Sequence, residues 1–201
     1  MRTAFRTVAS AGHGGDDRVL VLPWHDGVAI VVADGAGGTG GGGLAADAAI
    51  VSLRSALEMP DLRSLTGELA SADAQIAGLP HGGQTTAAVV TVSGSRIVGA
   101  SVGDSEAWLL ANGTSSLLTK HQVRKPLLGS GIARPVSFHA TCSAGTLLVG
   151  SDGLFKYASP GHIRAVAAGV DLEVAADELL ALVRLRSGGY QDDVALVLCR
   201  W

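Results

Sequence analysis

Short runs rich in Val, Ile and Leu recur in pairs along this chain, and each pair brackets a turn signal. Residues 19–22 and 28–33 flank Pro23-Trp24-His25-Asp26-Gly27, and residues 87–92 and 97–102 flank Ser93-Gly94-Ser95. A third pair, 107–111 and 114–118, turns at Asn112-Gly113, a dipeptide that accepts the positive φ angles of a two-residue hairpin loop. Hairpins build antiparallel sheets. Further strand character lies at 136–141, 147–149 and 194–199. Helical spacing interrupts the strands twice. An Ala-rich segment at 44–59 is followed by Leu62, Leu65, Leu69, Ala72 and Ile76, closing at Gly78-Leu79-Pro80. Later, Ser159-Pro160 opens a short helix. Asp171 caps a longer one, with Leu172, Ala175, Leu179 and Val183 as its buried stripe and Gly188-Gly189 as its end. Antiparallel hairpins with two helix pairs predict an α+β fold in layers, sheets inside and helices outside.

With 201 residues and no repeat or linker, the chain is read as one domain spanning 1–201. Its charge excludes two classes of partner. Fifteen basic against 18 acidic side chains, a formal −3, supply no basic stripe for nucleic acid or an anionic membrane surface. No apolar run reaches the ~20 residues that a membrane span needs. The opening Met1-Arg2-Thr3-Ala4-Phe5-Arg6 carries no apolar stretch of a secretory signal. Cys142 and Cys199 both lie in apolar runs. One disulfide is open to them, and free thiols in a reducing cytosol are the expectation. These features predict a cytoplasmic protein.

Of the 18 acidic side chains, 13 are Asp, and they collect where strands begin and end. Asp16 and Asp17 precede the first run and Asp34 follows the second. A hairpin returns its entry and exit to one edge, so these three start as neighbours. The same geometry places Gln84-Thr85-Thr86 beside Gly103-Asp104-Ser105. Asp152 follows the 147–150 run, and Asp192-Asp193 precede the last strand. A single Asp at a strand end is ordinarily a turn former. Several gathered at one end would repel and raise one another's pKa. A hard divalent cation removes that cost, and all-oxygen ligation suits Mg²⁺ or Mn²⁺. Zinc spacing is missing, with neither CxxC nor HExxH. The glycines of 35–43 lack the Gly-Lys-Ser/Thr of a P-loop. Gly103-Asp104-Ser105 has no suitably placed His to activate a nucleophilic serine.

Five motifs carry a family resemblance: Asp34-Gly35-x-Gly37-Gly38 after an apolar strand, Gly83-x-Thr85-Thr86, Gly103-Asp104-Ser105, Ser151-Asp152-Gly153-Leu154 and Asp192-Asp193-Val194. In this order, over roughly residues 16–197, they resemble the metal-dependent Ser/Thr protein phosphatases of type 2C (PPM). The resemblance implies a four-layer α-β-β-α sandwich, two antiparallel sheets flanked by helix pairs, with a site for two Mn²⁺ or Mg²⁺ ions at one end. It implies Asp34 as the carboxylate bridging both ions, the Gly35 carbonyl as a further ligand, and Asp152 and Asp192 as the other ligating carboxylates. Asp34, Asp152 and Asp192 are thereby the catalytic set. Asp17 joins the metal site and, with Asp16, resembles the pair that orders metal-bound water. Asp104 is similar to the residue that, with Asp152, holds a third ion in related enzymes. Thr85 and Thr86 are implied supports from the adjacent strand. The implied reaction is hydrolysis of phosphoserine or phosphothreonine on proteins by a water that the two cations activate, without a protein nucleophile. Implied partners are phosphoproteins, and with them a Ser/Thr kinase or its targets.

Three departures bear on function. Gly12 stands where the family places its phosphate-binding Arg, so Arg18, Arg6 and His13 become the candidates for substrate binding. Ala36 stands where some members have a general-acid His. The stretch from Ser105 to Ser151 is short for the family, which reduces the flap to about 119–135. Lys120, His121, Arg124 and Lys125 in that segment read either as a solvated loop or as a dock for an acidic phosphopeptide. Two alternatives stay open: a pseudophosphatase that binds phosphoproteins without turnover, and a phosphatase for small phosphorylated metabolites.

Overall fold

The structure, a computed structural model, describes residues 1–10, 15–36, 40–59 and 64–201. Gly12, His13, Gly37, Gly38 and Leu62 lie outside the described residues. Ten strands and five helices occur among the described ones. One sheet runs in the order β1 (Arg2–Val8), β10 (Val194–Arg200), β9 (Thr146–Gly150), β6 (Glu106–Ala111) and β7 (Thr114–Leu117). The other runs β2 (Arg18–Trp24), β3 (Gly27–Ala33), β4 (Ala87–Ser93), β5 (Arg96–Val102) and β8 (Val136–Thr141). All of these pairings are antiparallel. The helices are α1 (Gly42–Leu57), α2 (Leu65–Ala77), α3 (Asp152–Phe155), α4 (Pro160–Ala167) and α5 (Leu172–Val183).

Three apolar seams hold four layers together. Ile30, Val32 and Val90 of one sheet meet Val149 and Val197 of the other. On the far side of the sheet that contains β3 and β4, Ala29, Val31 and Val89 pack with Leu53 of α1 and Leu69 and Ile76 of α2. Across the sheet that contains β9 and β10, Leu148, Leu196 and Leu198 pack with Ile163 of α4 and Leu179 of α5. This is the α-β-β-α sandwich expected. Central strands such as β3 read as unbroken apolar runs because both faces are covered. Each Leu or Ile so enclosed contributes roughly 1.5–3 kcal/mol, and the small Ala45, Ala46 and Ala49 let α1 lie close on its sheet.

The helix starts follow their caps. Ser159 Oγ accepts from His162 N, and Asp171 accepts from Glu173 N and Val174 N. Three elements differ from expectation. Edge strand β1 was not foreseen, because its Arg2, Thr3 and Arg6 break any apolar run. The expected end of α5 at Gly188-Gly189 is too late: the helix stops at Val183, and Arg184 bridges Tyr190 across a short turn. Finally, the residues after β9 form the short helix α3. Among the described residues, no helix is long and apolar enough to cross a membrane. The cysteines are free, Cys199 buried and Cys142 half-buried, as expected.

Candidate active site

Strand register alone brings the acidic motifs to one end. In the sheet that contains β2 to β5, Arg18 pairs with Ala33, Val32 with Ala88, and Ala87 with Val102. The residues just outside these pairs, Asp17, Asp34, Thr86 and Gly103-Asp104, therefore share one edge. In the other sheet Glu106 and Leu196 both pair with Gly150, and Val8 pairs with Val194. That edge carries Ser151-Asp152 and Asp192-Asp193, and packing of the two sheets sets the edges side by side.

Asp34 is fixed through its backbone. Its N–H donates to Thr86 Oγ1 at 3.1 Å, and its carbonyl accepts from Thr86 N at 2.8 Å and Thr85 Oγ1 at 2.9 Å. Thr86 Oγ1 lies 2.6 Å from Ser105 Oγ, tying the next strand to the same point. Gly35 permits the close approach of α1: a Cβ there would lie 2.5 Å from the Gly42 carbonyl oxygen. Gly35 N donates to Asp16 O at 3.3 Å, which orients the Gly35 peptide beside the carboxylates.

Electrostatics records how tightly the acids gather. Burial, reinforced by Asp17, Asp152, Asp104 and Asp192, pushes the Asp34 carboxyl up to about 9. Asp17 is only 8% exposed. Its carboxyl rises to about 7, chiefly through burial, with Asp193, Asp152 and Asp192 adding and the Ser151 hydroxyl opposing. Asp152 is raised as well, by burial first and then by Asp104 and Asp192. The structure thus brings together Asp17, Asp34, Asp104, Asp152 and Asp192 from both sheets.

Several neighbours are drawn elsewhere. The Asp16 side chain faces Gly43 and Arg18. Arg18 donates to Asp47 at 2.6 and 3.1 Å, to Gly15 O and to Asp17 O, which engages four of its five N–H groups. Arg6 is likewise held, by Glu173 and Asp177. Asp104 accepts from Arg124 at 2.6 Å, while Lys156 Nζ stands 4.0 Å from Asp152 and 3.7 Å from Asp192. Among the described residues, no three His, Cys, Asp or Glu side chains form a ready-made ligand cage.

The donor set still suits hard cations. Asp17 Oδ2 is buried without a hydrogen-bond partner, a costly state for a carboxylate oxygen that ligation would relieve. Sequence reasoning did not foresee the part played by Asp193, whose oxygens accept from Ser10 N at 2.7 Å and from Asp16 N. It also passed over Lys156, although the four-residue spacing from Asp152 was a readable signal.

No protein-family model matches this sequence, and no curated protein does. Solved structures do match in fold. A bacterial serine phosphatase superposes with a TM-score of 0.87 at 20% identity, covering 100% of this chain and 97% of that one. Stp1 from Staphylococcus aureus, a serine/threonine phosphatase, gives 0.86 at 20% identity over 99% and 94%. The catalytic domain of the phosphatase PstP, solved with two manganese ions, gives 0.82 at 22% identity over 98% and 96%. The chain therefore has the α+β sandwich fold of the bacterial serine/threonine phosphatases, as its type 2C motifs implied.

Proposed function

We propose that this chain is a metal-dependent phosphatase acting on phosphoserine and phosphothreonine in proteins. One observation carries the reading: Asp17, Asp34, Asp104, Asp152 and Asp192, far apart in sequence, meet at one end of a phosphatase-type sandwich with their charges mutually opposed. Asp34, the Gly35 carbonyl, Asp152, Asp192 and Asp17 would hold the ions. Two divalent cations, when bound, lower the pKa of water towards neutrality and offset charge on the phosphoryl oxygens. The chain's own contribution is to hold the donors still. Thr85 and Thr86 clamp the Asp34 backbone, and Asp193 ties the Ser10 and Asp16 peptides to the start of β10.

Two ions, rather than three, fit this chain. Asp104, the added ligand for a third, already pairs with Arg124 at 2.6 Å. PstP's two manganese ions support the same stoichiometry, and Mn²⁺ is the first ion to test, with Mg²⁺ beside it. The irregular segment between β7 and β8 serves as the shortened flap. Its substrates would be products of a Ser/Thr kinase, and two free thiols suit a reducing cytoplasm.

The test is release of phosphate from a phosphothreonine peptide and from p-nitrophenyl phosphate. Wild-type protein should turn over with Mn²⁺ and stop with EDTA. Asp34→Asn and Asp152→Asn should fall to background. Retained metal-dependent activity in either variant contradicts the assignment, and calorimetric titration should count two Mn²⁺ per chain.

A further inference from the structure

A phosphate dianion needs cations of the protein, and the position where the type 2C resemblance expects one holds Gly12. Two of the candidate replacements are spent. Arg18 is locked on Asp47 and two carbonyls, and Arg6 on Glu173 and Asp177. Beside the acidic cluster, however, lies a cleft of about 310 Å³ lined by Asp104, Glu106, Arg124, Asp152, Phe155 and Lys156. Its cations among the described residues are Arg124 and Lys156, both partly exposed.

Arg124 gives Nε and Nη2 to one oxygen of Asp104, at 3.2 and 2.6 Å, while Nη1 has no acceptor among the described residues. Its side chain is 75% exposed. Lys156 approaches Asp152 and Asp192 at 4.0 and 3.7 Å, beyond hydrogen-bond reach, and is 54% exposed. The ammonium also lies over the Tyr157 ring, 5.2 Å from its centroid, so it is shared between that ring, the two carboxylates, the cleft and solvent. The base of Lys156 is anchored, because Phe155 stacks on Trp108 with ring centroids 5.4 Å apart. The pair frames the cleft directly beside Asp104 and Asp152. A guanidinium with a free N–H edge and a flexible ammonium are the two side chains suited to phosphate, one for geometry and one as a point charge.

We propose that Arg124 and Lys156 are the substrate-recognition cations of this site, receiving the phosphoryl group of a phosphorylated peptide where the chain lacks an Arg at position 12. This rests on the phosphatase reading above and deepens it. Both are positioning and binding residues: they hold the phosphate against the acidic cluster rather than take part in bond breaking. The Asp104 and Asp152 partners keep the cations from binding anions indiscriminately.

The test measures binding separately from turnover. Dissociation constants for inorganic phosphate and for a phosphothreonine peptide are determined by calorimetry at saturating Mn²⁺, with the unphosphorylated peptide as control. Arg124→Met and Lys156→Met should each weaken both ligands about fivefold or more, the loss expected for a charge-assisted hydrogen bond at a partly exposed site. Arg124→Lys and Lys156→Arg should recover most of it. In kinetics the Met variants should raise KM more than they lower kcat. On the unaltered protein, phosphate should slow acetylation of Lys156, read by mass spectrometry, which needs no variant to fold. Tighter binding of the phosphopeptide than of free phosphate identifies the peptide as the natural source of the group. Phosphate affinity unchanged in both Met variants, or Lys156 acetylation indifferent to phosphate, overturns the proposal. A wild-type protein that binds phosphate through these cations yet releases none from any substrate would overturn the phosphatase reading and leave this one standing.

Discussion

Gly153 stands where no side chain fits. A Cβ there would lie 1.9 Å from the Asp193 carbonyl oxygen, so the turn after β9 and the start of β10 are pressed together at this residue. Gly153→Ala would force them apart and strain the 2.9 Å hydrogen bond from Ala195 N to Ser151 Oγ. We expect a loss of about 2 kcal/mol or more in urea unfolding, with turnover falling as the Asp152 and Asp192 backbones separate. The two thiols should behave oppositely. Burial pushes Cys199 up to about 12, whereas the thiol of half-buried Cys142 donates to Ala144 O at 3.0 Å. A thiol reagent at neutral pH should label Cys142 in the native protein and Cys199 only after unfolding. At this scale Asp34, Asp104 and Asp152 were legible because each follows an apolar strand. Asp193 was not: the backbone N–H groups that claim it belong to Ser10 and Asp16, at the other end of the sequence.

Helix α2 grips the segment that shapes the site through one buried carboxylate. Asp73, 4% exposed, accepts from Gly129 N at 2.7 Å, Gly131 N at 3.0 Å and Ala133 N at 2.9 Å. Leu128, just before this clasp, exchanges two backbone hydrogen bonds with Thr85, whose hydroxyl donates to Asp34 O. A helix, a loop and a strand end are thus linked in series to the Asp34 backbone. Asp73→Asn turns an amide donor towards one of the three N–H groups, and Asp73→Ala removes the acceptor from all three part-buried N–H groups. Either should cost about 3 kcal/mol. Hydrogen exchange should then show faster exchange at Leu128 and Thr85 before any change at β10. None of this was visible in the sequence, since an Asp on a helix with no nearby basic partner reads as surface. Elements with strong local signals fared better. The hairpins at Asn112-Gly113 and Ser93-Gly94-Ser95 needed only turn chemistry. Edge strand β1 is half-exposed and held by its pairing to β10, 190 or so residues away in the chain, which no local pattern reports.

For the molecule as a whole, hairpin logic brought Asp16, Asp17 and Asp34 together and set Thr85 and Thr86 beside Asp104, but could not join Asp34 to Asp152 and Asp192. That union depends on two sheets packing face to face, which the motif order implied and the seam of Ile30, Val32, Val149 and Val197 accomplishes. The union has a thermodynamic consequence. Asp34 at about 9, Asp17 at about 7 and a raised Asp152 all hold protons in the folded state that the unfolded chain releases near 3.8. Between those values the native protein binds more protons than the unfolded chain, so unfolding free energy falls as pH rises. The stabilisation is fully present below about pH 4 and is lost progressively up to about pH 9. Metal-free protein should therefore melt at steadily lower temperature from about pH 5 to about pH 9. Asp34→Asn, which has no charge to desolvate, should melt higher than wild type at the alkaline end and show a shallower slope. Saturating Mn²⁺ should raise the melting temperature most at high pH, since it replaces the protons that the cluster otherwise retains, and its binding should release protons into buffer. A melting temperature of metal-free wild type that is flat or rising across this range would mean that the carboxylates are not packed against one another as the structure has them.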